Sequence, residues 1–311
     1  MKVLHTVREV VEWRTKNIDP RTHKSGFVPT MGCLHEGHLT LMRAAKREND
    51  FAIASIFVNP SQFAPTEDLD KYPRTLDDDI KLLEAEGVDV CFAPNAREMY
   101  PQGIPLQVEE QRGPFVTVLG VSEQLEGRTR PNFFRGVATV VTKLLNIVAP
   151  TRAYFGQKDF QQFTVLQVMA RELFMNTELR MMPIVRDDAG LALSSRNRYL
   201  CGETLGRARS IYKGLSAAAA LLEQADASGA ERTALLERVH AHWAPYENSG
   251  EFKVDYVSIA DAATLQELEP RVSRDRDVVI SCAVYVTDAE HPATVVRLID
   301  NILVHAVRSS N

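Results

Sequence analysis

Cysteine is scarce. The 311 residues hold four, Cys33, Cys91, Cys201 and Cys282, and they lie far apart. That spacing excludes a dense disulfide framework and a paired-cysteine zinc site. It suits a reducing, cytoplasmic setting. Long apolar runs are missing too. No stretch reaches the roughly 18 residues that a membrane-spanning helix needs, so no membrane partner is expected. The first residues, Met1–Thr6, show no charged flank leading into an apolar signal core. Basic charge has no surplus: 36 Lys and Arg stand against 41 Asp and Glu, for a formal charge of −5. With no dense Lys/Arg run, a nucleic-acid partner is not expected, although one basic pocket for a phosphorylated small molecule remains compatible. The P-loop pattern, GxGxxG, HExxH and GxSxG are all absent.

What is present is an alternation. Phe27–Thr30 reads as a strand end and 36–49 as a helix. Phe51–Val58 is apolar nearly throughout, as a strand covered on both faces should be. The series continues with a helix over 76–86, a strand over 88–93, a helix over 137–148, a strand over 152–155, a helix over 160–174 and a strand over 179–185. Strand–helix alternation implies parallel pairing through right-handed crossovers, hence a doubly wound α/β sheet with ligands at the carboxyl ends of its strands. After Val185 the texture changes to Ala/Leu-rich helices over 204–224 and 231–243, then strands over 254–259, 278–286 and 294–298. The expectation is a larger domain over 1–184 and a smaller α+β domain over 185–311. A linker near Val185 would let the second close as a lid.

Five segments carry chemistry. In Pro29–His38, two histidines three apart flank Gly37 at a helix start. Backbone N–H groups there hold phosphate, and imidazoles add donors. The plain alternative is a turn with two exposed histidines, and no third or fourth ligand stands nearby for zinc. Asn59 and Gln62 follow the next strand, where neutral amides suit a substrate with hydroxyls and a carboxylate. The alternative is an Asn-Pro turn. In Tyr72–Asp79, Thr75 reads as a helix cap and the acids as partners of the helix dipole. Asp78 and Asp79 are also candidates to orient Mg²⁺. Gly156–Asp159 is a further strand-to-helix junction, in which Lys158 meets phosphate and Gln162 sits one turn on. The bland reading there is a helix capped by Asp159. Ser194, Ser195 and Arg196, two hydroxyls and a guanidinium in a row, suit a triphosphate.

Taken together the segments resemble the pantothenate synthetase (pantoate–β-alanine ligase) family, among the HxGH nucleotidylyltransferases. The resemblance rests on PTMGxLHxGH at Pro29–His38, SIFVNPxQF at Ser55–Phe63, YPRT at Tyr72–Thr75 and LEG at Leu125–Gly127. It continues with RPxxFRGV at Arg130–Val137, FGxKDxQQ at Phe155–Gln162, GLALSSRNxYL at Gly190–Leu200 and LIDN at Leu298–Asn301. It implies that Met31, Gly32, Cys33, Leu34, His35, Glu36, Gly37 and His38 form one ATP segment, with His38 in the proton-donor place. Gly156, Gln157, Lys158 and Asp159 form a second, and Gln62 and Gln162 contact pantoate, Gln62 also lying by the β-alanine site. Val185 becomes an adenine-side contact, and Leu193, Ser194, Ser195 and Arg196 a mobile phosphate loop. Two positions depart from the pattern: Phe133 replaces a usual histidine, and Gln157 a frequent glutamate. The resemblance further implies Mg²⁺ with ATP, a pantoyl adenylate intermediate, and a homodimer. Two other functions remain to be weighed. A nucleotidylyltransferase for an anionic acceptor would favour basic residues where Asn59, Gln62 and Gln162 stand, and a non-catalytic nucleotide sensor would not need His38, Lys158 and Arg196.

Overall fold

The structure, a computed structural model, describes residues 1–307 apart from Pro65, Thr66, Asp68 and Ala227. It divides into two compact units, Met1–Pro183 and Ile184–Asn311.

The first unit runs β1 (Lys2–Leu4), α1 (Val7–Asn17), β2 (Ser25–Thr30), α2 (Glu36–Glu48), β3 (Phe51–Ile56), α3 (Leu76–Ala85), β4 (Val90–Phe92), α4 (Ala96–Met99), α5 (Glu126–Thr129), α6 (Phe133–Val148), β5 (Arg152–Gly156), α7 (Phe160–Glu172) and β6 (Glu178–Met182). Its six strands form one parallel sheet in the order β1-β4-β3-β2-β5-β6. From β2 the chain steps outward through β3 to β4. It then returns to the other side of β2 for β5 and β6. The order reverses between β2 and β5, and a doubly wound sheet opens its ligand crevice at that point. The carboxyl end of β2 feeds Met31–His38, and that of β5 feeds Gln157–Asp159.

The elements differ from the expectations in instructive ways. β1 is three residues long and α1 buries only Val10, so neither leaves a periodic signal. A reciprocal Thr6/Glu9 capping box starts α1 instead. β3 stops at Ile56, opposite the last residue of β2, and Pro60 soon afterwards has no N–H for a ladder. α6 begins at Phe133, four residues early, because Asn132 takes a left-handed φ of 69° and turns the chain into the helix.

The second unit carries α8 (Gly202–Gln224), β7 (Ala230–Glu231), α9 (Arg232–Asn248), β8 (Phe252–Asp261), β9 (Arg271–Val272), β10 (Val278–Thr287) and β11 (Val295–Val304). β11-β10-β8 is antiparallel, and β7 pairs with β9. Its core joins Leu215, Leu222, Leu235, Val239 and Trp243 to Ile259, Ile280 and Val284. A buried aliphatic side chain there is worth about 1.5–3 kcal/mol. β11 is twice the expected length because two buried polar residues, Asp300 and Asn301, interrupt its apolar run.

Candidate active site

The HxGH segment is held from outside. Gly32 has φ +82° and Cys33 φ +52°, a turn that only glycine enters readily. The Asp79 carboxylate on α3 fixes it, accepting from the N–H of Cys33 at 2.9 Å and of Leu34 at 2.8 Å. A Cβ at position 32 would stand 2.8 Å from that carboxylate. Thr75 stands at the N-cap of α3 but does not cap it; its hydroxyl donates to Asp79 at 3.1 Å. Burial and the Asp79 charge push the neighbouring Cys91 thiol up to about 12, so it is no nucleophile.

Neither Asp78 nor Asp79 is placed as a metal ligand. Asp79 is buried and engaged with backbone, whereas Asp78 is exposed and paired with Lys81 at 2.8 Å. Among the described residues no three His, Cys, Asp or Glu side chains gather as a metal site.

The expected row of open backbone donors also needs correction. The N–H groups of Gly32, Cys33, Leu34, His35, Gly37 and His38 all have partners within the segment, on Thr30 or on Asp79. The rings matter more. His38 Nδ1 accepts from the His35 N–H at 3.3 Å, and His35 Nδ1 accepts from the Gly37 N–H at 3.1 Å. Each ring therefore carries its proton on Nε2. The two rings lie 4.2 Å apart. Burial first, then the charges of His35 and Lys158, lower His38 from 6.5 to about 3. His38 is only partly exposed, so water opposes that shift without reversing it. At neutral pH His38 is thus a neutral donor.

The sign for stability follows. A histidine whose folded pKa is depressed binds its proton more readily when unfolded, so its neutral form is fully favourable above 6.5 and loses ground as pH falls toward 3. We expect the urea-unfolding stability of the wild type to fall more steeply over that window than that of His38→Asn. Parallel slopes would mean the ring is not depressed.

Lys158 follows β5 in a short 3₁₀ turn, Gln157–Asp159, and lies near enough to influence His38. The sheet thus brings two junctions distant in sequence to one place. Asp159 occupies the N-cap position of α7 but makes no capping bond. The paired glutamines divide their labour. Gln161 is buried and ties the loop before α5, donating to the carbonyls of Val121 and Gln124 and accepting from the Glu126 N–H. Gln162 is only partly buried.

Beyond β3, Asn59 and Gln62 are both buried. Asn59 Nδ2 donates to Gln62 Oε1 at 3.1 Å and to the Gly136 carbonyl at 3.2 Å. Its Oδ1 accepts from Ser61 and Tyr100. Every hydrogen-bonding position of Asn59 is used inside the protein, so it is a brace, not the open amide the sequence led us to expect. Gln62 Nε2 meets Met31 Sδ at 3.1 Å, which links this segment to the HxGH segment. Phe133, the departure from the family pattern, lies 3.8 Å below the guanidinium of Arg130. Arg130 in turn forks onto Glu67 and reaches the Gln62 carbonyl. Arg130, Glu67 and Tyr100 had no role in the sequence reading; the only available signal was the Arg130–Val137 motif itself.

In the second unit, the Leu193 N–H donates to the Val185 carbonyl at 2.9 Å, closing a hairpin. Ser194 caps a 3₁₀ turn over Ser195–Tyr199 and accepts from the Arg196 N–H. Arg186 anchors the base of this loop on Asp300, at 2.6 and 2.8 Å, and stacks on Tyr212. That ion pair gives the LIDN segment its task. Ser194, Ser195 and Arg196 are all partly exposed.

Residues 2–303 match the family model of the pantoate-beta-alanine ligases. The chain belongs to that family. A pantoate–beta-alanine ligase of Saccharomyces cerevisiae is 62% identical over 98% of this chain and 100% of the relative. A pantothenate synthetase of Thermotoga petrophila is 45% identical over 97% and 99%. Among solved structures, a pantothenate synthetase from Thermus thermophilus superposes with a TM-score of 0.82 at 40% identity, covering 98% of this chain and 100% of that one. A Francisella tularensis pantoate-beta-alanine ligase, complexed with beta-gamma ATP and beta-alanine, gives 0.71 at 35% identity over 97% of each chain. The chain is accordingly an enzyme, a ligase of pantothenate biosynthesis. Among the described residues no helix is long and apolar enough to cross a membrane.

Proposed function

We propose that the enzyme joins pantoate to β-alanine in two half-reactions. The pantoate carboxylate attacks the α-phosphorus of ATP and expels pyrophosphate, giving pantoyl adenylate. The β-alanine amine then attacks the acyl carbon, giving pantothenate, the acid that coenzyme A synthesis consumes, and AMP. One observation carries the reading. Gln62, the amide for the acid, touches Met31 at the head of the segment whose imidazoles face phosphate, so acid and α-phosphorus are held side by side.

His35 and His38 donate to phosphate oxygens, and Lys158 places a charge on the leaving pyrophosphate. Gln162 is a second contact for pantoate. On the second unit Ser194, Ser195 and Arg196 are proposed as further phosphate contacts, and the Val185–Leu193 hairpin as an adenine-side edge. Mg²⁺ enters as part of the ATP substrate, in keeping with a chain whose described residues gather no cluster of three His, Cys, Asp or Glu side chains. Four cysteines, none of them in a disulfide, support a cytoplasmic setting, and a homodimer follows from the family resemblance.

Labelled pyrophosphate tests the order of events. Enzyme, Mg²⁺, ATP and pantoate without β-alanine should return label into ATP. An acyl phosphate route would release ADP instead, a nucleotidylyltransferase would exchange only with its own acceptor, and a sensor would not exchange. Absence of pantoate-dependent exchange in enzyme that still makes pantothenate would reject the adenylate.

A further inference from the structure

A glutamine end is ambiguous, since its nitrogen donates and its oxygen accepts. The surroundings of Gln62 remove the ambiguity, starting from a group that cannot turn. The backbone carbonyl of Gly136 only accepts. It lies 3.2 Å from one end of the Asn59 amide, which must therefore be the NH₂ end. The oxygen end then faces two hydroxyls, Tyr100 at 2.8 Å and Ser61 at 3.0 Å. Burial pushes Tyr100 up to about 12, so its hydroxyl keeps the proton it donates. The second N–H of Asn59 points at Gln62 from 3.1 Å and requires an acceptor there. Oxygen therefore faces inward on Gln62, and nitrogen is left at the other end. Among the described residues that nitrogen meets the Met31 thioether, a weak acceptor that leaves an N–H for a ligand.

The backbone keeps this relay in register. A Cβ at Gly136 would stand 2.3 Å from the Ser61 carbonyl oxygen and 2.7 Å from the Gln62 Cα. Only glycine lets α6 bring its carbonyl this close to the turn that carries both amides.

We infer that the Gly136 carbonyl, acting through Asn59, fixes Gln62 as a hydrogen-bond donor to the acid substrate. Asn59 is then a positioning residue that does not touch substrate. The inference rests on the proposed role of Gln62 at pantoate and specifies it: the substrate atom that Gln62 meets is an acceptor, such as an ionised carboxylate oxygen. Turning Gln62 around would set one NH₂ against another in a buried place, so the polarity is built in before substrate arrives.

Steady-state KM for pantoate and for ATP in Gln62→Ala, Gln62→Glu and Asn59→Asp tests this, with thermal melts reporting the fold. Gln62→Ala should raise the pantoate KM by about tenfold, the scale of one lost hydrogen bond. Gln62→Glu should raise it by about a further tenfold, since a carboxylate still accepts from Asn59 but offers the acid no donor and adds like charge. Asn59→Asp, which turns oxygen toward Gln62, should raise the pantoate KM and leave that of ATP unchanged. Gln62→Glu binding pantoate as well as Gln62→Ala overturns the donor assignment alone. An unchanged pantoate KM in Gln62→Ala overturns the reading of Gln62 and the inference with it. A folded Asn59→Asp protein with wild-type pantoate KM, or with both KM values raised equally, overturns the positioning role.

Discussion

His38→Ala should lower turnover by roughly two to four powers of ten, the scale of losing one preorganised donor or acid–base group in a charge-separating step. The ring enters the reaction neutral, with its proton on Nε2 and Nδ1 already bound to the His35 N–H. It therefore has one donor to give, aimed by the helix start that it helps to close. In the proposed reaction, negative charge grows beside that N–H and beside Lys158 as pyrophosphate leaves, and the same growing charge lifts the depressed pKa and strengthens the donation. Because the interaction strengthens toward the transition state, kcat should fall far more than the KM for ATP rises. The fold should survive, since α2 still buries Leu39, Leu41, Met42, Ala44 and Ala45. Circular dichroism and a thermal melt check that point. A folded His38→Ala enzyme with near-wild-type turnover would remove His38 from the mechanism.

The parallel sheet was legible because its strands are covered on both faces. Phe51–Ile56 sits among buried neighbours, and such strands write themselves as apolar runs. The HxGH junction and Lys158 were legible as residues at strand ends, and the sheet order explains why they meet: β2 and β5 are neighbours across the reversal. The partners of these residues were not legible. Asp79 is 46 positions from Cys33, and Gly136 is 77 from Asn59; no local pattern encodes such pairings. Hence Asn59 read as an open amide and Asp79 as a metal candidate. A buried carboxylate that accepts backbone N–H groups has the same sequence signature as one that holds a cation. The second unit shows the same limit, where Asp300 broke the apolar run of β11 because it was placed for Arg186.

Asp79→Asn separates these two meanings of one carboxylate. Asp79 accepts the Leu34 N–H at one oxygen and the Cys33 N–H with the Thr75 hydroxyl at the other. Asparagine keeps a single oxygen, so one backbone N–H must face an NH₂ in a buried place. That costs about 1–3 kcal/mol of stability. The left-handed turn at Gly32 and Cys33 loses a brace that offset its strain. The segment it leads into carries both histidines, and a shift of about 1 Å in such a group lowers rate by about a hundredfold. We therefore expect a destabilised but folded protein, read by urea unfolding, whose kcat drops by one to two powers of ten, again roughly the scale of misplacement. The dependence of rate on Mg²⁺ concentration should keep its wild-type midpoint, because the carboxylate is occupied by backbone. If instead stability is unchanged and the Mg²⁺ midpoint moves to much higher concentration, Asp79 serves the metal, and the turn must be held by something else.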